Sequence, residues 1–302
     1  NNLESRSDEY YVNINDRKST ILNHLVKFDI FITKYFNIPN EFYIKKNRLK
    51  LLQLTTSDYS FVDLKKLKKY SINVVNNGGS NAVSVAEHTF LLMLSIYRNF
   101  LDQSITGRKK WNNLKMQNKE LYGKKIGIIG MGNIGFELAK RCNTFGIDVS
   151  YFDIKRKATK IERKMNIKFL NVKKLFSLCD FISLNMSFNS KSEKLVNLSL
   201  LNKMKKNAVI INTSRGKILK EKDIYKVLKN KKIFFGALDV YEREPLPLSS
   251  KLRNLKNIIM TPHCGPSKES VDKLSKNIAS NIQSIYQNRR IKNLKGLIWM
   301  WL

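Results

Sequence analysis

The stretch from residue 124 to residue 153 constrains the fold more than any other part of the chain. A short apolar segment leads into a Gly-x-Gly-x-x-Gly turn and a helical run to Phe145, and a second apolar segment ends at Asp153. A strand, a glycine turn, a helix and a second strand in this order are typical of a βαβ unit. We therefore expect this stretch to form a βαβ crossover of a parallel sheet.

The spacing of the glycines favours dinucleotide binding over a βαβ crossover without a ligand. Gly130 permits a tight turn, Gly132 lets the backbone approach a pyrophosphate, and Gly135 lets the helix pack closely on the strand. The start of the helix offers unpaired N–H groups and a positive dipole end to phosphates, and Asp153 is placed to bind an adenosine ribose. The predicted cofactor-binding positions here are Gly130, Gly132, Asn133, Ile134, Gly135 and Asp153.

The chain of 302 residues is long enough for about two domains, and its hydrophobic content of 42% is that of a globular protein. Its formal net charge of +32 would suit nucleic acid, a membrane surface or an anionic substrate. The lysines, however, are scattered as doublets such as Lys65-Lys66 and Lys231-Lys232, beside many asparagines and isoleucines. This pattern favours compositional drift over one basic binding surface.

Three widely separated cysteines, Cys142, Cys179 and Cys264, indicate neither a disulfide framework nor a CxxC metal site, so we expect a reducing cytosol. The sequence shows no signal peptide and no apolar run long enough to span a bilayer. It begins with Asn1 rather than Met, as a fragment or a processed form would. The apolar tail at 296–302 is expected to dock on the core or on a partner, or to be an oddity of the reading frame.

The first part of the chain has the pattern of a small α/β unit. Apolar segments predict strands at residues 10–14, 28–33, 50–55 and 72–76, with a helix at 62–69. A longer helix is predicted at 84–99, and its apolar residues cover most of its circumference. We expect this helix to be buried and to act as a hinge to a second domain. His88 on it is expected to be a packed or capped histidine.

From Leu121 onward strands and helices alternate, which predicts a doubly wound, mainly parallel sheet. The strands are predicted at 124–129, 147–152, 168–170, 180–186, 208–213, 234–240 and 257–261, with helices such as 198–205 and 221–229 between them. A last helix is predicted at about 267–288. Ligands bind such sheets beyond the carboxyl ends of the strands. The side chains that could bind a cofactor or take part in catalysis all fall at those ends, which predicts a single site.

Three residues at predicted strand ends suit proton and hydride chemistry beside a nicotinamide. Histidine side chains in general titrate near neutral pH, so one such as His263 could give a proton to a carbonyl and take it back. A carboxylate such as that of Glu244 can fix the tautomer of the ring and stabilise its protonated form. Arg215 can hold a substrate carboxylate through two parallel hydrogen bonds. Each residue alone is more often a surface or turn residue, so the hypothesis depends on the constellation.

The segments around these residues resemble the D-isomer-specific 2-hydroxyacid dehydrogenase family in order and approximate spacing. Besides the glycine turn, the shared motifs are Thr213-Ser214-Arg215-Gly216, Ala237-Leu238-Asp239-Val240 with Glu244-Pro245-Leu246, Thr261-Pro262-His263 and Val85-Ala86-Glu87-His88. The resemblance implies a doubly wound Rossmann domain that binds NAD, inserted into a smaller flavodoxin-like substrate domain. We assign residues 98–266 to the NAD-binding domain, and residues 1–97 with 267–302 to the discontinuous substrate domain. A homodimer is implied as well.

The resemblance also implies a role for each candidate residue. His263 would be the acid/base, Glu244 its partner and Arg215 the substrate anchor. Thr213 and Asp239 would bind the cofactor, with Asp239 at the carboxamide side of the nicotinamide. The implied substrate-binding positions are Asn77, Gly78, Gly79 and Arg215. The implied reaction is hydride transfer between NAD(H) and a small 2-keto or D-2-hydroxy acid, and no metal, nucleic acid or membrane is expected to take part.

Some positions depart from the family pattern or narrow the choice of substrate. Asp58 stands in a segment that is usually Gly-x-Gly, and it would bring a negative charge near the carboxylate site. Asn185 opens a segment where the family often has His-x-Pro, and the first strand and helix of the substrate domain are expected to be short or missing. Glu244 argues against formate, because formate dehydrogenases carry Gln there. Asp153 argues for NAD, because it would repel a 2′-phosphate, although the cations at 155–157 could partly offset that repulsion.

Three other functions stay open at this stage. A 3-phosphoglycerate dehydrogenase activity would suit the excess of cations. A corepressor-like protein that binds NAD(H) with weakened turnover would suit the charge of Asp58. Nucleic-acid binding driven by net charge is the least favoured, because the lysines form no stripe.

Overall fold

The computed structural model describes residues 27–34, 42, 48–57, 59, 61–109, 118–287, 289 and 291. Asp58, the strand predicted at 10–14 and the apolar tail at 296–302 lie outside the described residues. The chain divides into two compact units, one made of Asn1–Gly78 with Lys276–Leu302 and the other of Gly79–Ser275. The second unit is therefore an insertion in the sequence of the first.

The first unit contains a three-stranded parallel sheet in the order β1-β2-β3. Its elements are β1 (Ile30–Thr33), β2 (Leu51–Leu54), α1 (Leu64–Lys69) and β3 (Asn73–Val75). All four residues of the central strand β2 are buried, as expected for a parallel strand that is covered on both faces. Gln53 is its one polar member, and its side-chain oxygen accepts a hydrogen bond of 2.9 Å from Asn281. A buried amide is tolerated there because it is paired.

The second unit contains a seven-stranded sheet in the order β10-β9-β8-β7-β4-β5-β6, and every neighbouring pair is parallel. Its strands are β4 (Lys125–Ile129), β5 (Asp148–Phe152), β6 (Ile167–Phe169), β7 (Phe181–Leu184), β8 (Val209–Asn212), β9 (Phe235–Leu238) and β10 (Ile258–Met260). Its helices are α2 (Ala82–Tyr97), α3 (Phe100–Lys109), α4 (Asn133–Thr144), α5 (Thr159–Lys164), α6 (Val172–Leu178), α7 (Leu198–Leu201), α8 (Glu221–Lys229) and the first part of α9 (Lys268–Tyr286).

The strand order reverses between β4 and β7. The chain runs outward from β4 through β5 to β6 and then returns to the other side of β4 with β7. In doubly wound sheets this reversal opens a crevice at the carboxyl ends of the two strands, where ligands bind. The topology thus directs attention to the loops that follow β4 and β7.

Two apolar clusters cover the two faces of this sheet. Ile126 and Ile128 of β4 belong to one cluster with helices α2 and α4, whereas Ile129 belongs to the other with α6 and α8. Strand residues alternate between faces, so neighbouring residues enter different cores. The cores bury the central strands β4, β7, β8 and β9 almost completely, which explains why these segments read as apolar runs.

The fold class predicted from the sequence is confirmed, with an α/β architecture and a doubly wound Rossmann sheet. The strands predicted in the described range are all present, most of them shorter than predicted. The helix predicted at 198–205 was too long, because it ends at Leu201. The amides of Lys203 and Met204 donate to the carbonyls of Leu200 and Leu201, which tightens the chain into a turn before β8.

The compact units divide the chain at other positions than the sequence-based boundaries at 97/98 and 266/267. Helix α2 was assigned to the first domain, yet Ala86, Met93 and Ile96 on it pack in a core of the second unit. This buried face explains why the division falls before the helix and not after it. The functional assignment of the two domains stays a prediction.

None of the helices in the described part of the chain is both long enough and apolar enough to cross a bilayer.

We predict that Gly135→Ala destabilises the second unit. A Cβ at Gly135 would lie 2.2 Å from the carbonyl oxygen of Gly130, so helix α4 would have to move away from the turn. Such overpacking costs about 1–3 kcal/mol. The measurement is the free energy of unfolding in urea.

Gly107→Ala in helix α3 is the matched control, because a Cβ there meets no described atom within 4 Å. This control is expected to gain up to about 1 kcal/mol from helix propensity. Equal stability of the two variants would contradict the close packing at Gly135.

Candidate functional site

The glycine turn after β4 leaves space at the start of helix α4. Gly130 has a φ of 99°, and a Cβ there would lie 2.7 Å from the carbonyl oxygen of Asn185, so glycine is required. Gly132 is the N-cap residue of helix α4, and a Cβ at this position would meet no described atom within 4 Å. The turn and first helical residues comprise the predicted positions Gly130, Gly132, Asn133, Ile134 and Gly135. The first amides of a helix have no partner within the helix, and together with the open space at Gly132 they suit the phosphates of a dinucleotide.

Asp153 connects the end of β5 to this turn. Its Oδ2 accepts a hydrogen bond of 2.8 Å from the amide of Met131. The amide of Gly130 donates to the carbonyl of Phe152 at 2.8 Å, which fixes the same two segments together. The predicted ribose-binding carboxylate therefore lies directly beside the predicted phosphate-binding turn.

Arg156, one of the cations that follow Asp153, is held by a buried carboxylate. Its Nε and Nη2 donate to the two oxygens of Glu162 at 2.9 and 2.8 Å, and the hydroxyl of Tyr151 donates to the same carboxylate at 2.7 Å. The hydrogen bonds from Arg156, and after them the one from Tyr151, lower the pKa of Glu162 to about 2. The exposed guanidinium of Arg156 is therefore held in an ion pair with Glu162.

His263 and Glu244 are brought together from positions 19 residues apart. The Nδ1 of His263 lies 2.7 Å from an oxygen of Glu244, and the two side chains are 37% and 36% exposed. The other oxygen of Glu244 accepts from the amide of Tyr241 at 3.0 Å. A carboxylate on Nδ1 places the proton there in the neutral ring, which leaves Nε2 for a substrate.

The backbone at His263 is held in an unusual conformation. Its φ is 54°, in the left-handed region that side chains other than glycine seldom adopt. The amide of His263 donates to the carbonyl of Asp239 at 2.9 Å, which stabilises this turn after β10. Strained backbone of this kind is concentrated at functional sites.

The carboxylate of Asp239 is buried, with 1% of the residue exposed, and it is surrounded by donors. Its Oδ1 accepts from the hydroxyl of Thr261 at 2.6 Å and from the amide of Cys264 at 3.0 Å, and Oδ2 accepts from the amide of Gly265 at 3.2 Å. The Nε2 of His88 lies 3.3 Å from Oδ1. Burial alone would raise the pKa of Asp239, but the hydrogen bonds from His88, Thr261 and Cys264 outweigh it and lower the pKa to about 2.

The loop that carries Arg215 packs against the loop that carries Glu244. Asn212 shapes the first loop, because its side chain accepts from Ser214 and donates to the carbonyl of Arg215 at 3.1 Å. A Cβ at Gly216 would lie 1.9 Å from the carbonyl of Tyr241, so the two backbones touch. Arg215 and Glu244 are therefore positioned by neighbouring loops of one sheet edge.

Two glutamates fix the loop after β9. An oxygen of Glu242 accepts from the amide of Glu221 at 2.8 Å, and an oxygen of Glu221 accepts from the amide of Glu242 at 2.6 Å. Burial raises the pKa of Glu221. This reciprocal pairing ties the start of helix α8 to the segment that leads to Glu244.

The predicted substrate-binding residues fall in both compact units. Gly79 belongs to the second unit. It lies close to Asn133 at the start of helix α4, because a Cβ on Gly79 would be 2.3 Å from the side-chain nitrogen Nδ2 of Asn133. Asn77 and Gly78 belong to the first unit. The amide of Asn77 donates to the carbonyl of Thr56 at 3.3 Å, so this loop is ordered by its own backbone.

Sequence reasoning missed the shell around the predicted cofactor residues. His88, Thr261 and Cys264 all contact Asp239, although none of them was given a role. Thr213 is likewise paired with Thr89, with 2.8 Å between the hydroxyl oxygens. The one available signal was that His88 and Thr261 belong to motifs that resemble those of the dehydrogenase family. Nothing in the local sequence pattern indicates that the two residues share a partner.

Comparisons with known proteins agree with this geometry. Residues 90–265 match the family model described as D-isomer specific 2-hydroxyacid dehydrogenase, NAD binding domain. A Staphylococcus epidermidis protein described as a 2-hydroxyacid dehydrogenase is 34% identical over 255 residues, which make up 83% of this chain and 77% of the relative. A glyoxylate reductase of Korarchaeum cryptofilum is 30% identical over 241 residues, 78% of this chain and 72% of the relative.

Solved structures show the same likeness. An acyclic imino acid reductase, solved in complex with NADPH and D-Arg, superposes with a TM-score of 0.82 and 29% sequence identity. The alignment covers 94% of this chain and 89% of that protein.

We predict that Glu162→Gln lowers stability only where the carboxylate is ionised. A glutamate in an unfolded chain titrates near about pH 4.3, whereas the pKa of Glu162 in the folded protein is about 2. Its contribution is thus fully present above about pH 4.3 and is lost as the pH falls through about 2. In urea unfolding, the difference between wild type and variant should be largest near neutral pH and shrink between about pH 4 and 2.

Glu193→Gln is the control for that experiment, because Glu193 is half exposed and lies 4.0 Å from Lys194. Exposed pairs of this kind contribute little, so this variant should follow the wild type. A difference for Glu162→Gln that stays constant over the whole pH range would contradict the ion pair.

Proposed function

Since the chain belongs to the D-isomer-specific 2-hydroxyacid dehydrogenase family and is an NAD-dependent oxidoreductase, we propose that it interconverts a small 2-keto acid and the corresponding D-2-hydroxy acid. The observation that carries this proposal is the 2.7 Å contact between His263 and Glu244 at the sheet edge that also bears the glycine turn. That pair supplies a positioned proton donor and acceptor beside a dinucleotide site.

The residues of the second unit fit NAD. The open turn at Gly132 and the start of helix α4 would hold the pyrophosphate, and Asp153 would bind the adenosine ribose. Thr213 and Asp239 would bind near the nicotinamide, with Asp239 at the carboxamide side. NAD supplies or accepts the hydride when it is bound.

His263 would move the proton in each direction. In reduction, Nε2 gives a proton to the carbonyl oxygen while the carbonyl carbon receives the hydride, so that the C=O group becomes a CH–OH group. In oxidation, Nε2 takes the hydroxyl proton back. Glu244 stabilises the protonated ring and keeps Nδ1 facing the protein. One 2-keto acid, one NADH and one proton are thus converted into one hydroxy acid and one NAD.

Arg215 would hold the substrate carboxylate. A guanidinium can donate two parallel hydrogen bonds to a carboxylate and polarise the adjacent carbonyl. Asn77, Gly78 and Gly79 stay predicted substrate-binding residues. An arginine that binds the carboxylate and polarises the adjacent carbonyl would select acids in which the carbonyl is next to the carboxylate.

We propose that the protein works in the cytosol as a homodimer. All three cysteines are free thiols, which suits a reducing compartment. Leu91 on helix α2 and Leu101 and Ile105 on helix α3 are about half exposed, which suits a buried contact between copies. Light scattering coupled to gel filtration tests the dimer, and a monomer at micromolar concentration would contradict it.

We predict that His263→Gln reduces turnover of 2-keto acids by about two to four orders of magnitude, because the variant has no proton donor. The measurement is NADH oxidation with glyoxylate, pyruvate, hydroxypyruvate and 3-phosphohydroxypyruvate. NADH affinity, followed by fluorescence, should stay within about threefold, because His263 acts on the substrate.

Glu244→Gln should lower the rate less than His263→Gln, because the ring and its Nε2 are retained. A wild-type protein that turns over none of these acids would contradict the proposal. A parallel reaction with pyruvate and an amine separates imine reduction, the activity of the solved imino acid reductase, from keto-acid reduction.

We predict that the wild type binds NADH more tightly than NADPH, by at least about tenfold. The carboxylate of Asp153 would repel a 2′-phosphate, and the ion pair with Glu162 reduces the offset that Arg156 could provide. Asp153→Asn should bring the ratio of the dissociation constants for NADPH and NADH closer to one. Lys168→Gln on β6 is an exposed control and should leave the ratio unchanged. Equal affinity of the wild type for both cofactors would contradict this assignment.

A further inference from the structure

His88, Asp239 and Cys264 form a cluster of three different donor types. His88 lies on helix α2, Asp239 follows β9, and Cys264 follows β10. One imidazole nitrogen, one carboxylate oxygen and one thiol sulfur all lie within 4.8 Å of one another. These three segments are far apart in the sequence, so only the fold creates the cluster.

The distances in this cluster agree with those of a tetrahedral zinc site. With bonds of about 2.0 Å to nitrogen and oxygen and about 2.3 Å to sulfur, the ligands of such a site lie about 3.3 Å (N to O) and about 3.5 Å (S to O) apart. The Nε2 of His88 is 3.3 Å from Oδ1 of Asp239, and the Sγ of Cys264 is 3.6 Å from the same oxygen. The third pair, His88 and Cys264, lies within 4.8 Å, and the exposed side chain of Cys264 would have to move to complete the site.

The hydrogen bonds at Asp239 leave room for an ion. The contacts from Thr261 and from the amide of Cys264, at 2.6 and 3.0 Å, have ordinary hydrogen-bond lengths. The contacts from the His88 ring and the Cys264 thiol are longer, at 3.3 and 3.6 Å. An ion could replace the two hydrogens of these longer contacts, while Thr261 and the amide of Cys264 would continue to donate to the carboxylate and orient it.

We propose that His88, Asp239 and Cys264 form a zinc-binding site whose occupation excludes the nicotinamide. The part about exclusion rests on the proposed function, because it places Asp239 at the carboxamide. Imidazole, thiolate and carboxylate together favour Zn²⁺ over Mg²⁺ or Ca²⁺, which prefer oxygen ligands only. Three protein ligands leave one position for water, and the exposed side of Cys264 gives access to it. The site makes the enzyme sensitive to free zinc.

The experiment titrates the full chain, freed of cofactor, with Co²⁺ and then displaces Co²⁺ with Zn²⁺. Cobalt bound to a thiolate gives a charge-transfer band in the near ultraviolet and visible bands typical of four-coordination. We expect one ion per chain, loss of the thiolate band in Cys264→Ser, and at least about tenfold weaker binding in His88→Gln. Cys179→Ala removes a buried thiol outside the cluster and is the matched control, which should keep the band. Circular dichroism checks the fold of each variant.

Absence of a one-to-one cobalt complex, or a thiolate band that persists in Cys264→Ser, would overturn the site. The effect of NADH is measured separately on the zinc-loaded protein. Release of zinc by NADH supports exclusion of the nicotinamide. If both bind together, the metal site stands but its overlap with the nicotinamide is wrong. Keto-acid turnover by the metal-free protein is scored independently, so a failure of the proposed function is not mistaken for a failure of the zinc site.

Discussion

The candidate site depends on the hydrogen bonds that the buried carboxylate of Asp239 accepts. A buried negative charge is costly unless donors surround it, and here helix α2 and the loop after β10 bring their donors to the loop after β9, which carries Asp239. Because each donor satisfies the same charge, the three segments are held in one arrangement. The turn that presents His263 is part of this arrangement, since its amide donates to the carbonyl of Asp239.

Close backbone contacts complete the site. Gly130 lies against Asn185, and Gly216 lies against Tyr241, at distances that leave no space for a Cβ. These contacts join the loops after β4 and β7 and the loops after β8 and β9. The side chains that would do the chemistry, Arg215 and Glu244, are therefore carried on loops that cannot separate without breaking tight packing.

The two types of constraint act in different ways. The glycine contacts are steric and depend little on pH, whereas the pairs around Asp239 and Glu162 depend on ionised carboxylates whose pKa values are lowered to about 2. The side chains of His263 and Glu244, the pair that we propose to transfer the proton, are 37% and 36% exposed, so a substrate could reach them.

The sequence by itself determined the doubly wound sheet, the glycine turn, Asp153 beside it and the placing of Arg215, Glu244 and His263 at strand ends. These features follow from local periodicity and from glycine spacing, which act over a few residues. Only the tertiary structure decided that His88, Thr261 and Cys264 share the carboxylate of Asp239, and that Glu162 holds Arg156. Side chains that meet across such separations depend on packing and on the balance between burial and hydrogen bonding, and neither of these is written in a local pattern.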